Sequence, residues 1–435
     1  MSPGRCVVFF VLLAFLCAAV PAASMAAETV QDPQKQLEQA LAWVNAEPDK
    51  AWARLALGYA YNGLGRYDRA VSAFRAALRL EPKNVEAHNG IAYSWLGMER
   101  PERAVESLKT AIEIDPTLGD YVTLGYTLGE TGQTEDALDA FDEAVRRDPA
   151  NTEAMNGKGY LLFDAGRFRE AEEAFVMAVE TDPAKGDFAS LGYTYSALGM
   201  EEKARESFGR AAEYQPSDVE TLNGLAFSLM SLGRYDVSLE TFAKSLEIEP
   251  DNPATLNGLG YVESAVGNHE RAAEYLERAA SVSPGQGDYV SLGYIYSAAG
   301  LHEKAVGTFE RAVIRTPDAA AEAWNGMGYS LAEMGRAADA LAAFRRAFVL
   351  KPDARAHNAL GYGYMLVGSY PEAMEAFRRA LELDPENDQA HFNLGLAWLD
   401  LDDAPKAREE YRALLKLESP LAAQLKILLD TQVLQ

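Results

Sequence analysis

The stretch Ala354–Pro385, ARAHNALGYGYMLVGSYPEAMEAFRRALELDP, decides how the chain is read. His357, Leu360, Gly361 and Tyr364 recur at the i, i+3, i+4, i+7 spacing of one helical face, and Ala373, Met374, Phe377, Ala380 and Leu381 repeat that pattern in a second segment. Gly368 separates the two segments and Pro385, which lacks an N–H, stops the second. The stretch predicts a helical hairpin, and eleven near-copies of it run along the chain.

With Ala354 as position one, Leu360, Gly361, Tyr364, Gly368, Tyr370, Ala373, Phe377, Ala380 and Pro385 fall at the positions that define a tetratricopeptide repeat (TPR). The sequence resembles an exported bacterial member of that family with eleven tandem repeats. The resemblance implies an all-α fold, a TPR α-solenoid in which antiparallel helix pairs stack as a right-handed superhelix. A chain of 435 residues would otherwise suggest two or three globular domains, but a fixed period means that each unit packs only on its neighbours.

Working outward, the repeats occupy 51–419. Pro82, Pro116, Pro149, Pro183, Pro216, Pro250, Pro284, Pro317, Pro352 and Pro385 close the first ten and Ser419 closes the last. Position eight is Gly or Ala throughout, as in Gly58, Ala92 and Gly125, because two helix backbones approach there; position twenty is Ala except for Ser238. Phenylalanines at position twenty-four, such as Phe74, Phe141 and Phe377, fill the space between pairs. Repeats three, five and eight open with LGDYVTLGY, KGDFASLGY and QGDYVSLGY, so Asp120, Asp187 and Asp288 should cap first helices that start about two residues late. Elsewhere Asn84, Asn151, Asp218 and Asn252 are the expected caps, and Ser283–Gly287 is the expected hinge.

Flanking the array, 27–50 is expected to hold an N-terminal capping helix with Leu37, Leu41 and Val44 on one side, and 420–435 a C-terminal capping helix with Leu421, Leu425, Leu428 and Leu429 on its inner face. Three departures unsettle local packing. Lys158 replaces an apolar residue, repeat two has Pro101 and no turn glycine, and the last repeat carries Asp400, Asp402 and Asp403 around its turn. Lys158 should bury its stem and reach water with its amine.

Residues 1–26 read as a signal peptide, with Arg5 as the positive end, an apolar run from Cys6 to Val20, and Ala23 or Ala26 before the cleavage site. That run is short of the roughly 20 residues needed to span a bilayer, so stable membrane insertion is not expected after cleavage. Both cysteines, Cys6 and Cys17, lie inside it, which leaves the mature chain without disulfides. The net charge of −25 disfavours nucleic acid and anionic lipid as partners.

No catalytic constellation is visible, and neither an enzyme nor a cofactor is expected. His88, His357 and His391 recur at position four and His269 and His302 at position seventeen, one or more repeats apart, and read as packing groups rather than metal ligands. The G-x-G of Asn257–Tyr261 falls inside a helix, not between a strand and a helix, so it is no phosphate loop.

What remains is surface. Position nine carries Tyr59, Tyr93, Tyr126, Tyr160, Tyr193, Phe227, Tyr261, Tyr294, Tyr329 and Tyr362, and one turn earlier position five carries Asn89, Asn156, Asn223, Asn257, Asn325 and Asn358. In the TPR family that side of the first helix lines the inner groove. Two readings stand. Each tyrosine packs on the next repeat while each asparagine bonds a neighbouring backbone, or the two stripes form a concave ligand surface for an extended peptide. The family's carboxylate clamp uses an asparagine at position nine, where tyrosine stands here, and that function is excluded. Glu86, Glu153, Glu220 and Glu322 at position two and Glu130, Asp164, Glu333 and Asp400 at position thirteen oppose the single base Arg355. The expected function is a non-enzymatic binding scaffold of the cell envelope, periplasmic or secreted, for another protein or a neutral or basic extended peptide. The alternative is a polysaccharide-binding module of an exopolysaccharide export or phage-receptor system.

Overall fold

A computed structural model describes residues 32–284 and 288–432. The signal segment and part of the expected hinge, Gly285 to Gly287, lie outside the described residues. The described chain is helical and forms two compact units that divide between Pro216 and Ser217. Among the described residues the first unit holds α1 (Pro33–Ala46) and five hairpins: α2 (Ala51–Gly63) with α3 (Tyr67–Leu80), α4 (Val85–Gly97) with α5 (Pro101–Ile114), α6 (Tyr121–Glu130) with α7 (Thr134–Arg147), α8 (Thr152–Asp164) with α9 (Phe168–Thr181), and α10 (Phe188–Ala197) with α11 (Glu201–Tyr214). The second holds α12 (Val219–Ser231) with α13 (Tyr235–Ile248), α14 (Pro253–Ala265) with α15 (His269–Val282), α16 (Tyr289–Ala298) with α17 (His302–Arg315), α18 (Ala320–Glu333) with α19 (Ala337–Leu350), α20 (Ala354–Leu366) with α21 (Tyr370–Leu383), α22 (Asp388–Asp400) with α23 (Ala404–Lys416), and then α24 (Leu421–Gln432). Each unit is a stretch of α-solenoid.

The helix starts follow the side-chain chemistry. Asn84, Asn151, Asp218 and Asn252 each accept the backbone N–H three residues on. Asp120, Asp187 and Asp288 do the same, and α6, α10 and α16 are 10 residues long where other first helices have 13 or 14. The hairpin turns need a left-handed residue at position fifteen. Nine repeats supply glycine, whereas Glu99 in repeat two and Asp402 in repeat eleven take φ of 57° and 60°.

Packing centres on the position-24 phenylalanines, all of them almost wholly buried. Phe74 is wedged between Gly58 of its own repeat and Gly90 of the next, where an added Cβ would lie 2.5 Å from the ring in either case. Phe141 meets Gly125 and Gly157, and Phe309 meets Gly293 and Gly326, in the same way. At these three seams the glycine at position six gives the ring the same clearance as the small residue at position eight, whereas Phe175, Phe344 and Phe377 are followed there by Ser190, Ala359 and Asn393. Ser238, standing where alanine is usual, is fully buried and donates to Ala226 O at 2.7 Å.

Four local expectations are revised or refined. In α24 the inner side is Ala422, Leu425 and Leu429, while Leu428 is 41% exposed; Leu425 lies over Gly395, which has no phenylalanine against it. In α1 Leu37 and Ala40 are buried but Leu41 is turned out. Lys158 brings its amine to the surface, but there it pairs with the exposed Asp142 on the preceding hairpin. His391 is more than a packing group: Nδ1 lies 2.6 Å from Glu410 Oε2 and Nε2 lies 3.3 Å from Pro385 O.

Candidate functional site

The tyrosines of position nine are all half-buried, and their rings are held by the second helix of the same repeat. Tyr59, Tyr126, Tyr160, Tyr193, Tyr294 and Tyr329 each set an edge against the position-24 phenylalanine, with ring centres 4.8 to 5.3 Å apart. Phe227 does the same to Phe242. Tyr93 and Tyr261 belong to repeats with Leu108 and Leu276 at that position. Tyr362 instead stacks on Tyr329 of the preceding repeat at 5.9 Å.

Their hydroxyls reach the next repeat in two ways. Tyr93, Tyr160 and Tyr261 donate to Oδ2 of the capping Asp120, Asp187 and Asp288 at 2.6 to 2.7 Å. Tyr59, Tyr126 and Tyr294 make longer bonds, 3.4 to 3.5 Å, to the carbonyls of Glu86, Glu153 and Glu322. Burial, and then the charge of Asp120 or Asp187, pushes the Tyr93 and Tyr160 phenols far above their usual range; burial and Glu322 raise Tyr294 to about 12. These groups are permanent donors near neutral pH. The signal was present in the sequence as a tyrosine followed 27 residues later by the short-helix aspartate.

The asparagines divide. Asn89 donates to Leu118 O at 3.4 Å and Asn156 to Lys185 O at 2.9 Å, so both fasten the loop before a short first helix. Asn223, Asn325 and Asn358 are only 4 to 7% exposed and lie beneath the face, which removes them from any open stripe. Asn223 Oδ1 accepts from Ser245 and Thr255, and Asn358 Oδ1 accepts from Asn393. These side-chain partners were missed because they stand 22 to 35 residues away, Ser245 on the second helix of the same repeat and Thr255 and Asn393 in the repeat that follows. Asn257 lies at the same register in repeat seven, where Tyr261 holds Asp288.

In the first unit this leaves a face of acceptors. The hydroxyls of Tyr59, Tyr93, Tyr126 and Tyr160 and the amides of Asn89 and Asn156 are spent on the neighbouring repeat, and Asn89 Oδ1 has no partner among the described residues. Glu86, Glu130 and Glu153 make no ion pair among the described residues. Glu130 and Glu153 are open to solvent, yet surrounding protein displaces enough water to push all three carboxyls above the usual glutamate range, with Asp120 adding to the effect on Glu153. A hollow of about 390 Å³ lined by Lys109, Tyr121 and Asp136, and another of about 540 Å³ lined by His391, Trp398 and Lys406, involve none of the stripe residues. No group of three potential metal ligands is assembled among the described residues.

Among solved structures the chain is similar to the APC/C hetero-tetramer Cut9–Hcn1 at 15% identity, covering 90% of this chain and 93% of that one with a TM-score of 0.45. Yeast Tom70 is similar at 14% identity, with 91% and 96% covered and a TM-score of 0.45. YrrB, a TPR protein with an unusual peptide-binding site, shares 25% identity over 41% of this chain and 94% of its own, with a TM-score of 0.37. No curated protein matches the sequence. Tetratricopeptide repeat models match residues 55–118, 122–185 and 257–320, and further models of the repeat match 188–218, 218–284, 321–353 and 361–402. The hairpins, their left-handed turns and their wedged phenylalanines are thus those of a known repeat, and the chain belongs to the tetratricopeptide repeat family.

Proposed function

We propose that the chain is a non-enzymatic scaffold of the cell envelope that holds a cationic, donor-rich segment of a protein partner on the first-helix face of residues 32–216. TPR folds generally serve protein–protein interaction. The observation that carries the choice of partner is the set Glu86, Glu130 and Glu153, three carboxylates at least partly open to solvent and without a counter-charge among the described residues. Lysine or arginine side chains and free N–H groups would supply the charge and the donors that this face lacks. Export is supported by Arg5 and the apolar run after it.

The test is fluorescence anisotropy with an unstructured Lys- and Arg-bearing peptide against its Asp- and Glu-bearing counterpart. The basic peptide should bind, weaken as salt is raised, and lose at least about tenfold in affinity when Glu86, Glu130 and Glu153 are changed together to glutamine. Equal binding of the two peptides, or no loss in the variant, would refute the reading. Fractionation with N-terminal sequencing tests export separately, a new terminus between Ala22 and Glu28 being expected.

A further inference from the structure

The second helices carry a different surface, and here the repeats act as controls for one another. Positions 22, 26 and 29 are spaced i, i+4, i+7 and share one helical face. Position 22 is acidic in repeats two to seven, ten and eleven, position 26 is basic in repeats five to ten, and position 29 is charged in repeats one to six, ten and eleven. In repeats five and ten, where position 29 is glutamate, the base is neutralised within its own helix: Arg210 lies 3.5 Å from Glu213, and Arg379 pairs with Glu382.

Repeats eight and nine depart from this at the same places. Position 22 becomes Gly307 and Ala342, and position 29 becomes Ile314 and Val349, which are 75% and 77% exposed. Arg311 and Arg346 stay at position 26, but neither makes an ion pair among the described residues; Arg311 lies over the ring of Tyr289, 4.9 Å from its centre. Packing does not require Gly307, since a Cβ added there would meet nothing within 4 Å, and glycine inside a helix weakens it. Two consecutive repeats have therefore lost acid, bulk and charge at matching positions without any gain inside the molecule.

We infer that this outer face of α17 and α19 is a docking surface for an acidic amphipathic helix of another protein. Arg311 and Arg346, deprived of their own glutamates, call for carboxylates from outside. Ile314 and Val349 offer aliphatic contact, and Gly307 and Ala342 lower the surface by a side chain, as helices require when their axes come close. A lipid surface would profit from protruding groups at position 22, not from a recess. A second copy laid on the same face would bring arginines toward arginines.

The test uses the full chain and a synthetic, lactam-bridged peptide of roughly 18 residues with leucines on one face and glutamates beside them. Two variants restore what neighbouring repeats carry, Gly307→Glu with Ala342→Glu, and Ile314→Glu with Val349→Glu. Both should keep the parent circular dichroism spectrum. The peptide should bind the parent saturably and each variant at least about tenfold more weakly. Absence of saturable binding, equal binding by the variants, or equal binding of a lysine version of the peptide would overturn the inference. Dimerisation in sedimentation, or binding to phosphatidylglycerol vesicles, that disappears in these variants would assign the face to another occupant and overturn it equally.

Discussion

Tyr93 donates its hydroxyl to Asp120 Oδ2 at 2.6 Å while Asp120 Oδ1 accepts from the backbone N–H of Thr123 at 3.0 Å, so one carboxylate both starts α6 and ties it to the repeat before. Tyr126, by contrast, reaches only a carbonyl, at 3.4 Å. Tyr93→Phe should destabilise the first unit by about 1 to 2 kcal/mol, as for loss of a hydrogen bond to a charged group, whereas Tyr126→Phe should cost about 0.5 kcal/mol or less. Urea unfolding of the two variants measures the difference, and equal losses would remove the distinction between the two kinds of seam.

Glu99 holds φ of 57° where nine repeats place glycine between 68° and 87°. The left-handed region penalises a side chain by about 1 to 2 kcal/mol, part of which is returned by the smaller freedom of glutamate in the unfolded chain. Glu99→Gly should therefore raise stability by about 0.5 to 1 kcal/mol. A lower melting temperature would mean that the Glu99 side chain has a role in the fold.

Both ring nitrogens of His391 face acceptors, Glu410 and the Pro385 carbonyl, which only the imidazolium satisfies. The hydrogen bond to Glu410 accordingly raises its pKa above the ordinary value of 6.5, despite burial. Because the folded value lies above the unfolded one, the stabilisation is complete below about pH 6.5 and is lost as pH rises through the folded value. The urea midpoint of the terminal hairpin should fall between pH 6 and pH 9 in the parent and stay flatter in His391→Gln. An imidazole that titrates by NMR at or below 6.5 would contradict the geometry.

Glu263, 1% exposed, occupies the register where other repeats place an aromatic residue or leucine; it is held by Asn268 at 2.8 Å and by exposed Arg271 at 3.0 Å. A buried carboxylate is dear to desolvate, so Glu263→Leu should be neutral or stabilising by about 1 kcal/mol, while Asn268→Ala, which strips a partner from the charge, should destabilise by about 1 to 3 kcal/mol. Thermal melts of the two variants decide. A strongly destabilised Glu263→Leu would show that the polar cluster organises the hairpin.

The helices, their caps and the interleaved phenylalanines were legible because eleven copies of one pattern average out local accidents. The short first helices were legible for a further reason: Gly-Asp before an aromatic is a capping signal wherever it stands. The polar contacts that tie helix to helix were not, since Asn223 with Ser245 of its own hairpin and Thr255 of the next, or His391 with Glu410 of its own hairpin, meet across 19 to 32 residues and leave no periodic trace. The end helix misled for a physical reason as well. It packs on one side only, so Leu425 and Leu428 looked equivalent although Ala422 and Leu429 flank the true contact.

The ring of Phe74 between Gly58 and Gly90 has a bearing on how such a gene can change. Five phenylalanines are followed by glycine at position six of the next repeat, whereas Phe175, Phe344 and Phe377 precede Ser190, Ala359 and Asn393, and Leu108 and Leu276 precede Thr123 and Ser291. A seam is therefore matched locally, pair by pair. Unequal crossing-over that deletes repeat two would set Phe74 against Thr123 in place of Gly90, and the resulting chain would carry a defective seam. Selection on such a pair resists the loss of that repeat even where individual sequences drift.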